Sequence, residues 1–396
     1  MDGETIVSLF SLTKAMTASA IGVLLEEDGA LGWDTTLKSV LPDFRHLNAA
    51  VEKDATLREL LTHRAGLSEY NSLWMQDSGR FYFDKSQTLP AFAALPVTAG
   101  IRQKYQYNNS NYAMLAAAVE KATGLTPGSF LVQKFFDPLK LTTKSVVRPD
   151  GGGDNLSEGF MALSHGSHLL TFYNSLLHAA ADQFSGGTTT KDSPSKQIPS
   201  ILSGYIPTGY PILLDQSYGF GWHRSQLTNS AGASGENKRL VFPMPTIACA
   251  LSWRQFRYVA KLANCDAFNW MAGLLLEPIL DSSEKADFET LSSNAAKRNV
   301  DMWKELHASL AKAQKPGTKP KRPKEYVRKY LNNLINWYLE VCLETDALRI
   351  VFQGDLEHRH AFRHYRDDVV TWLLTHDENA AVGRYPSTSP GPWLLN

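Results

Sequence analysis

Apolar and polar positions along the chain alternate between helical and strand-like periods. From Leu12 to Glu27 apolar and small residues recur at helical spacing, and Asp28-Gly29 supplies a stop, so a helix is predicted there. The run TLRELLT, Thr56 to Thr62, predicts a short helix, with Thr56 and Glu59 at capping-box spacing. Asn111 to Thr123 is alanine-rich and helical, closed by Gly124. Val241 to Trp253 reads as two short strands broken by Pro243-Met244-Pro245, and Asp266 to Leu280 as an amphipathic helix. A long polar helix is predicted from about Ser283. Beyond residue 325 the pattern changes to short β-rich runs, WYLEVCL, LRIVFQG and VVTWLL, with breaks at Asp346 and Gly354.

Two stretches punctuate the chain. Residues 185–204 are rich in Ser, Gly, Thr and Pro and predict an exposed loop. Residues 313–324, AQKPGTKPKRPK, combine proline with five cations, the composition of a solvated linker. These breaks divide the chain into a main domain (1–282), a polar helix with a Pro/Lys-rich linker (283–324) and a small β domain (325–396). No repeat with a period of roughly 20–50 residues is visible, which excludes a solenoid or propeller.

Composition narrows the function classes. The 40 basic and 40 acidic side chains balance, which removes the electrostatic case for nucleic acid or an anionic membrane as partner. No apolar run approaches the roughly 18–20 residues that span a bilayer. The start, MDGETIVSLFSLTK, lacks the basic and apolar regions of a signal peptide, so the chain as written is expected to be cytoplasmic. Cys249, Cys265 and Cys342 have no metal-ligand spacing and read as buried or half-buried thiols, with one Cys249–Cys265 bridge left open. His358 and His360 alternate on a predicted strand and so share a face near His364, but no carboxylate or cysteine completes a zinc set.

The candidate chemistry begins at Ser11-Leu12-Thr13-Lys14. Positions i and i+3 share a helix face, so the Lys14 amine reaches the Ser11 hydroxyl. A serine hydroxyl is a weak nucleophile and needs a base, which an amine becomes when burial and neighbouring cations depress its pKa. A serine at a first helical turn also places its backbone N–H where an oxyanion is held.

The surrounding residues carry a resemblance. SLFSLTKAMTASAIGVLLEEDGALGWDTTL resembles the nucleophile helix of the serine β-lactamase and penicillin-binding-protein superfamily, above all its class C-like esterase, D-aminopeptidase and acyltransferase branch. TLRELLTHRAGL (56–67) is similar to that branch's loop, with Ala65 where a serine is usual. YQYNNSNYAMLAAAVEKATG (105–124) resembles its second motif, Tyr-x-Asn followed by a helix, carried here by Tyr107, Asn108 and Asn109. YGFGW (218–222) extends the likeness, and SEGFMALSHGSHLLTFYNSLLHA (157–179) looks like a shortened active-site wall. YVRKYLNN and RHYRDDVVTWLL resemble a lipocalin-like β domain attached to fungal relatives.

The resemblance implies an α+β fold, an antiparallel sheet flanked by helices, followed by a small all-β domain. It implies that Ser11 attacks an acyl carbonyl, that Lys14 takes its proton and that Tyr107 relays it to the leaving group. Asn109 would bond substrate or Lys14, and Ser230 would contact a small-molecule acyl substrate. The aromatics Trp222 and Tyr218 read either as lining of an acyl pocket or, the commoner fate of such residues, as core. No cofactor or metal is required. The expected reaction is hydrolysis or acyl transfer on an ester, amide or lactone, in fungal polyketide or peptide metabolism by analogy with acyl-transferring relatives. His63 lies outside the three motifs and reads as structural.

Departures from the family pattern define a rival class. Ten residues precede Ser11 where relatives place two strands, and the third motif has as its nearest counterpart Asn229-Ser230-Ala231-Gly232, without a cation or imidazole. A truncated or catalytically inactive homologue kept for binding is the alternative. A metal-dependent lactamase is disfavoured, because no His-x-His-x-Asp cluster occurs in the catalytic region.

Overall fold

The computed structural model describes residues 6–8, 10–69, 82, 85–141, 163–208, 216–225, 287–315, 317–319, 321–332, 335, 337–345, 347–382 and 390–395. Two compact units result, one holding the described residues through Glu69 and from Leu95 to Phe288, the other holding 82, 85–94 and everything from Glu289 onward. The predicted strands of 241–253 and the helix of 266–280 lie outside the described residues, as do Cys249 and Cys265.

In the first unit a short strand β1 (Ile6–Ser8) leads into a 3-10 turn, Phe10–Leu12, and then into helix α1 (Thr13–Asp28). Every α1 residue from Thr13 to Leu25 is buried, as expected of a helix that is apolar or small on all sides. Its buried hydroxyls bond back into the helix: Thr17 Oγ1 donates to the Thr13 carbonyl at 3.1 Å and Ser19 Oγ to that of Ala15 at 3.0 Å. Gly29 ends the helix in a left-handed conformation, φ 66°, its N–H returning to the Leu25 carbonyl.

Helix α2 (Leu57–Leu61) carries the predicted capping box, Thr56 accepting from Glu59 N–H while the Glu59 carboxylate accepts from Thr56. Helix α3 (Asn109–Thr123) closes at Gly124, as its sequence predicts, and packs on α1 and α2. Strand β2 (Leu163–His165) pairs antiparallel with β1, Val7 opposite Ser164, and runs into helix α4 (Gly166–Gln183). Much of the region read as a shortened active-site wall is therefore helix. Strands β3 (Ile206–Pro207), β4 (Gln216–Tyr218) and β5 (His223–Ser225) form an antiparallel sheet.

Residues 185–204 depart from the exposed loop that their composition predicts. Thr190, Ser193, Ser195, Ile198 and Ile201 are buried, and Ile198–Leu202 is helical. The reason is a single buried amide, since Gln183 donates to Thr190 Oγ1 and the Ser195 carbonyl and accepts from Ile198 N–H. A polar composition conceals this, because the bonds that fold the loop inward come from a residue before it.

In the second unit α5 (Phe288–Ala313) buries Trp303, Leu306 and Leu310 in a core with Ile350, Phe352, Trp372 and Trp393. One sheet has the order β6 (Lys329–Leu331), β7 (Tyr338–Glu344), β8 (Ala347–Phe352), β9 (Arg359–Ala361). A second joins β10 (Arg363–Arg366), β11 (Val369–Thr371) and β12 (Leu394–Leu395), all neighbours antiparallel. Tyr365 ties sheet to helix by donating to the Leu310 carbonyl at 2.7 Å. The polar helix is thus part of this unit rather than a separate spacer, because its apolar face is covered. The basic run is held too, through Lys315–Asp367 (3.1 Å) and Lys321–Asp368 (2.8 Å).

His358 and His360 do not share a strand face. His358 sits in the turn before β9, its Nδ1 2.9 Å from Asp355 Oδ2, whereas His360 is buried against Phe352 and Trp372. Asp355 also accepts from Tyr82 OH at 2.7 Å and from Glu357 N–H, and is held down at about 2 although burial alone would raise it. That turn already employs its carboxylate in closing the loop. Cys342, half-buried on β7, has its thiol pKa raised by burial. No helix among the described residues is long and apolar enough to cross a membrane.

Candidate active site

The 3-10 turn before α1 decides the local geometry. Ser11 lies in that turn and Lys14 in the first turn of α1, three residues on, so the two side chains face the same way, Ser11 exposed and Lys14 buried to 4% exposure. Lys14 Nζ donates to Ser11 Oγ at 3.3 Å and to Asn109 Oδ1 at 2.7 Å. The Tyr107 hydroxyl lies 2.6 Å from Ser11 Oγ. Lys14 Nζ also stands over the rings of Tyr107 and Tyr112, at 4.8 and 5.3 Å from their centroids. Four residues from two motifs almost a hundred positions apart therefore meet around one hydroxyl.

What holds the second motif in place is the loop after α2. Its backbone brackets the segment before α3: Thr98 N–H donates to the Gly66 carbonyl, Arg102 N–H to that of Arg64 and Gln106 N–H to that of His63, at 2.9, 2.8 and 2.7 Å. Asn108 caps α3 through Ser110 N–H and donates its amide to the Ser68 carbonyl at 3.0 Å. Glu59, 1% exposed, anchors both sides by accepting from Arg64 at 3.0 Å and from Arg102 at 3.1 Å. Burial is the largest influence on its carboxyl and pushes the pKa up, but Arg102, Thr56 and Arg64 together outweigh it and hold the group low.

The YGFGW turn supports the start of α1 from the other side. Gly221 has φ 80°, and a Cβ there would lie 2.7 Å from the Lys14 carbonyl oxygen and 3.0 Å from Ala15 N. Only glycine allows that approach. Gly221→Ala is expected to lower stability by about 2–3 kcal/mol, the combined cost of a strained φ and an overpacked contact, read by chemical denaturation. An unchanged unfolding midpoint would remove Gly221 from this role.

Trp222 is buried to 2% exposure with its ring edge-on to Tyr173 at 5.6 Å, a core position. Ser230 and the rest of the third-motif region lie outside the described residues. Sequence reasoning left two further residues of the site aside. His63 is fully buried with its ring 4.5 Å from that of Tyr107, and only its place in the family loop hinted at this. Glu69, at the end of the same loop, has its carboxyl raised from 4.5 to about 7 by burial, against the opposing pull of Lys14.

Glu69 gives a pH signature with a definite sign. An acid whose folded pKa exceeds its unfolded value contributes stability that is full below the unfolded pKa and lost as pH rises through the folded one. Stability should fall by up to about 3 kcal/mol between pH about 4.5 and about 7, and Glu69→Gln should abolish that fall in urea titrations. A pH dependence identical in wild type and variant would exclude it.

The beta-lactamase family matches residues 1–242, more than half of the chain. The chain belongs to that family. Penicillin-binding protein 4* of Bacillus subtilis (strain 168) is 28% identical over 138 residues, 34% of this chain and 29% of the relative. A teichoic acid D-alanine hydrolase of Staphylococcus aureus is 28% identical over 146 residues, 37% of this chain and 34% of its own length. The match thus spans about a third of each of these curated relatives. Among solved structures, the octameric penicillin-binding protein homologue from Pyrococcus abyssi aligns with a TM-score of 0.47 and 15% identity, over 94% of this chain and 83% of that one.

Proposed function

We propose that the chain is a serine hydrolase that works through an acyl-enzyme on Ser11. The observation that carries this reading is the placement of Ser11 Oγ between the Tyr107 hydroxyl (2.6 Å) and the Lys14 amine (3.3 Å), with Lys14 itself held by Asn109. Nucleophile, base and the group that orients the base are the minimum for covalent acyl transfer.

In the first half-reaction Lys14 acts from its deprotonated form and accepts the Ser11 proton as Oγ bonds to the acyl carbon. The carbonyl π pair moves to oxygen, where we assign the Ser11 backbone N–H as a donor. Collapse of the tetrahedral intermediate breaks the bond to the leaving alkoxide or amine, which takes its proton through Tyr107. In the second, water attacks the ester carbonyl and gives its proton to the same pair; collapse breaks the Oγ–C bond, Ser11 Oγ takes that proton back, and the acid leaves. An alcohol or amine in place of water yields transfer. Two relatives bear on the substrate class: the teichoic acid D-alanine hydrolase and a D-stereospecific amidohydrolase from Streptomyces sp.. Esters and amides of D-amino acids therefore head the screen, with secondary-metabolite acyl acceptors added on the likeness of the C-terminal segment to fungal acyl-transferring relatives.

Intact-protein mass after incubation with an activated ester, and separately a β-lactam, tests the reading. One added acyl group in wild type that is absent in Ser11→Ala is the expected result. A folded wild-type sample that takes up no acyl group from either reagent would overturn it and leave the chain a non-catalytic homologue.

A further inference from the structure

His63 contacts Tyr107 and the residues on either side of it. Its backbone carbonyl accepts the N–H of Gln106 at 2.7 Å, and its Nδ1 accepts the N–H of Asn108 at 3.1 Å, so the residues immediately before and after Tyr107 are both bonded to it. Between those two bonds its ring lies under the ring of Tyr107, centroids 4.5 Å apart and tilted 41°. Carbonyl and Nδ1 both meet the same segment while His63 has φ 56°, a left-handed conformation that His, Asn and Asp adopt more readily than other residues. A buried residue kept in that conformation by its surroundings is a site where geometry is being enforced.

We propose that His63 is a positioning residue of the acylation site: its carbonyl, its Nδ1 and its ring together fix where the Tyr107 hydroxyl stands relative to Ser11 Oγ. The proposal rests on the Ser11 acyl-enzyme reading and adds to it a residue that touches no reacting atom. The ring can do this only as a neutral imidazole, because Nδ1 must keep its lone pair to accept from Asn108. Burial, then the positive field of Lys14 and His223, hold its pKa well below the ordinary histidine value. The rings of Tyr105, Tyr107, Tyr112 and Tyr218 surround it at 4.5–5.8 Å, and among the described residues Nε2, which carries the proton of that tautomer, is buried without a hydrogen-bond partner. The hydrogen bond to Asn108 is also the lever on Asn109, the next residue, which holds Lys14. One imidazole thus sets both the relay hydroxyl and, through one peptide, the amide that aims the base.

Two substitutions separate the parts. His63→Asn retains an acceptor near the Nδ1 position and tolerates positive φ but removes the ring. His63→Phe retains a ring and removes the acceptor, leaving the Asn108 N–H buried without a partner. Single-turnover acylation by an activated ester should slow about 10–100-fold in His63→Phe and at most about tenfold in His63→Asn, at unchanged affinity for the first complex. The second readout needs no activity: the ring Cζ resonance of Tyr107 in 13C-tyrosine-labelled protein, assigned by its loss in Tyr107→Phe. It should shift in His63→Phe and shift less in His63→Asn. A folded His63→Phe protein with the wild-type Tyr107 resonance would overturn the proposal, as would a fall in melting temperature with acylation untouched. If wild type forms no Ser11 adduct, the hydrolase reading fails while the resonance still decides what His63 does.

Discussion

Lys14→Met is expected to slow acylation of Ser11 at least ~10³-fold while leaving the fold intact. The methionine matches the length of the lysine and removes the amine that lies 3.3 Å from Ser11 Oγ. Exchanging a buried ammonium for an apolar side chain of similar volume is close to neutral for stability, apart from about 1–3 kcal/mol for leaving Asn109 Oδ1 without its donor. Single-turnover mass spectrometry gives the rate, and circular dichroism with thermal melting gives the fold. Lys14→Arg sharpens the test. It restores the charge but supplies a group that stays protonated, so a base role predicts a loss as deep as that of Lys14→Met. Recovery of the rate by arginine would reassign Lys14 to electrostatic support.

Glu59→Gln is expected to cost the first unit about 3 kcal/mol, read as a shift of the urea midpoint. Every partner of this carboxylate is a donor: Thr56 through its N–H and hydroxyl, Arg64 and Arg102. A glutamine of the same shape presents an amide N–H₂ to one of them, so two donors face each other in a site only 1% exposed. Arg64, with 16% of its side chain exposed, also loses its counter-charge. Because the folded pKa of Glu59 is depressed, its contribution is present above the unfolded carboxyl value and lost as pH falls through the folded one. Wild type and Glu59→Gln should converge in acid. An equal gap at every pH would assign the loss to packing. The pH effect of Glu69 runs the other way above pH about 4.5, so α2 and the loop after it limit stability from both directions.

What the sequence makes legible is local. Ser11 and Lys14 lie one turn apart, Thr56 and Glu59 are three residues apart, and Gly29 and Gly124 follow the helices they end, so spacing alone predicts each of these features. Tyr107 and Asn109 are legible through the family resemblance, and their meeting with Ser11 and Lys14 is a tertiary event that no period encodes. The misreadings share one cause. Residues 185–204 look solvated until Gln183 draws them inward, and His358 and His360 look paired until a turn closed by Asp355 separates them. Glu59 reads as a capping residue, which it is, but its larger task depends on Arg102, 43 positions away. Polar side chains that serve distant backbone leave no pattern in their own neighbourhood.

Helix α1 is buried from Thr13 to Leu25, and at Gly22 a Cβ would lie 3.0 Å from the Lys196 carbonyl, so its wall is already in contact. A rod packed on all sides has no soft direction in which to slide or tilt. Its amides should exchange with deuterium only when the whole unit opens, and Ser11 at its head inherits that stillness. Thermal inactivation and loss of structure in the first unit should therefore trace one curve, with no warm, folded, silent form between them.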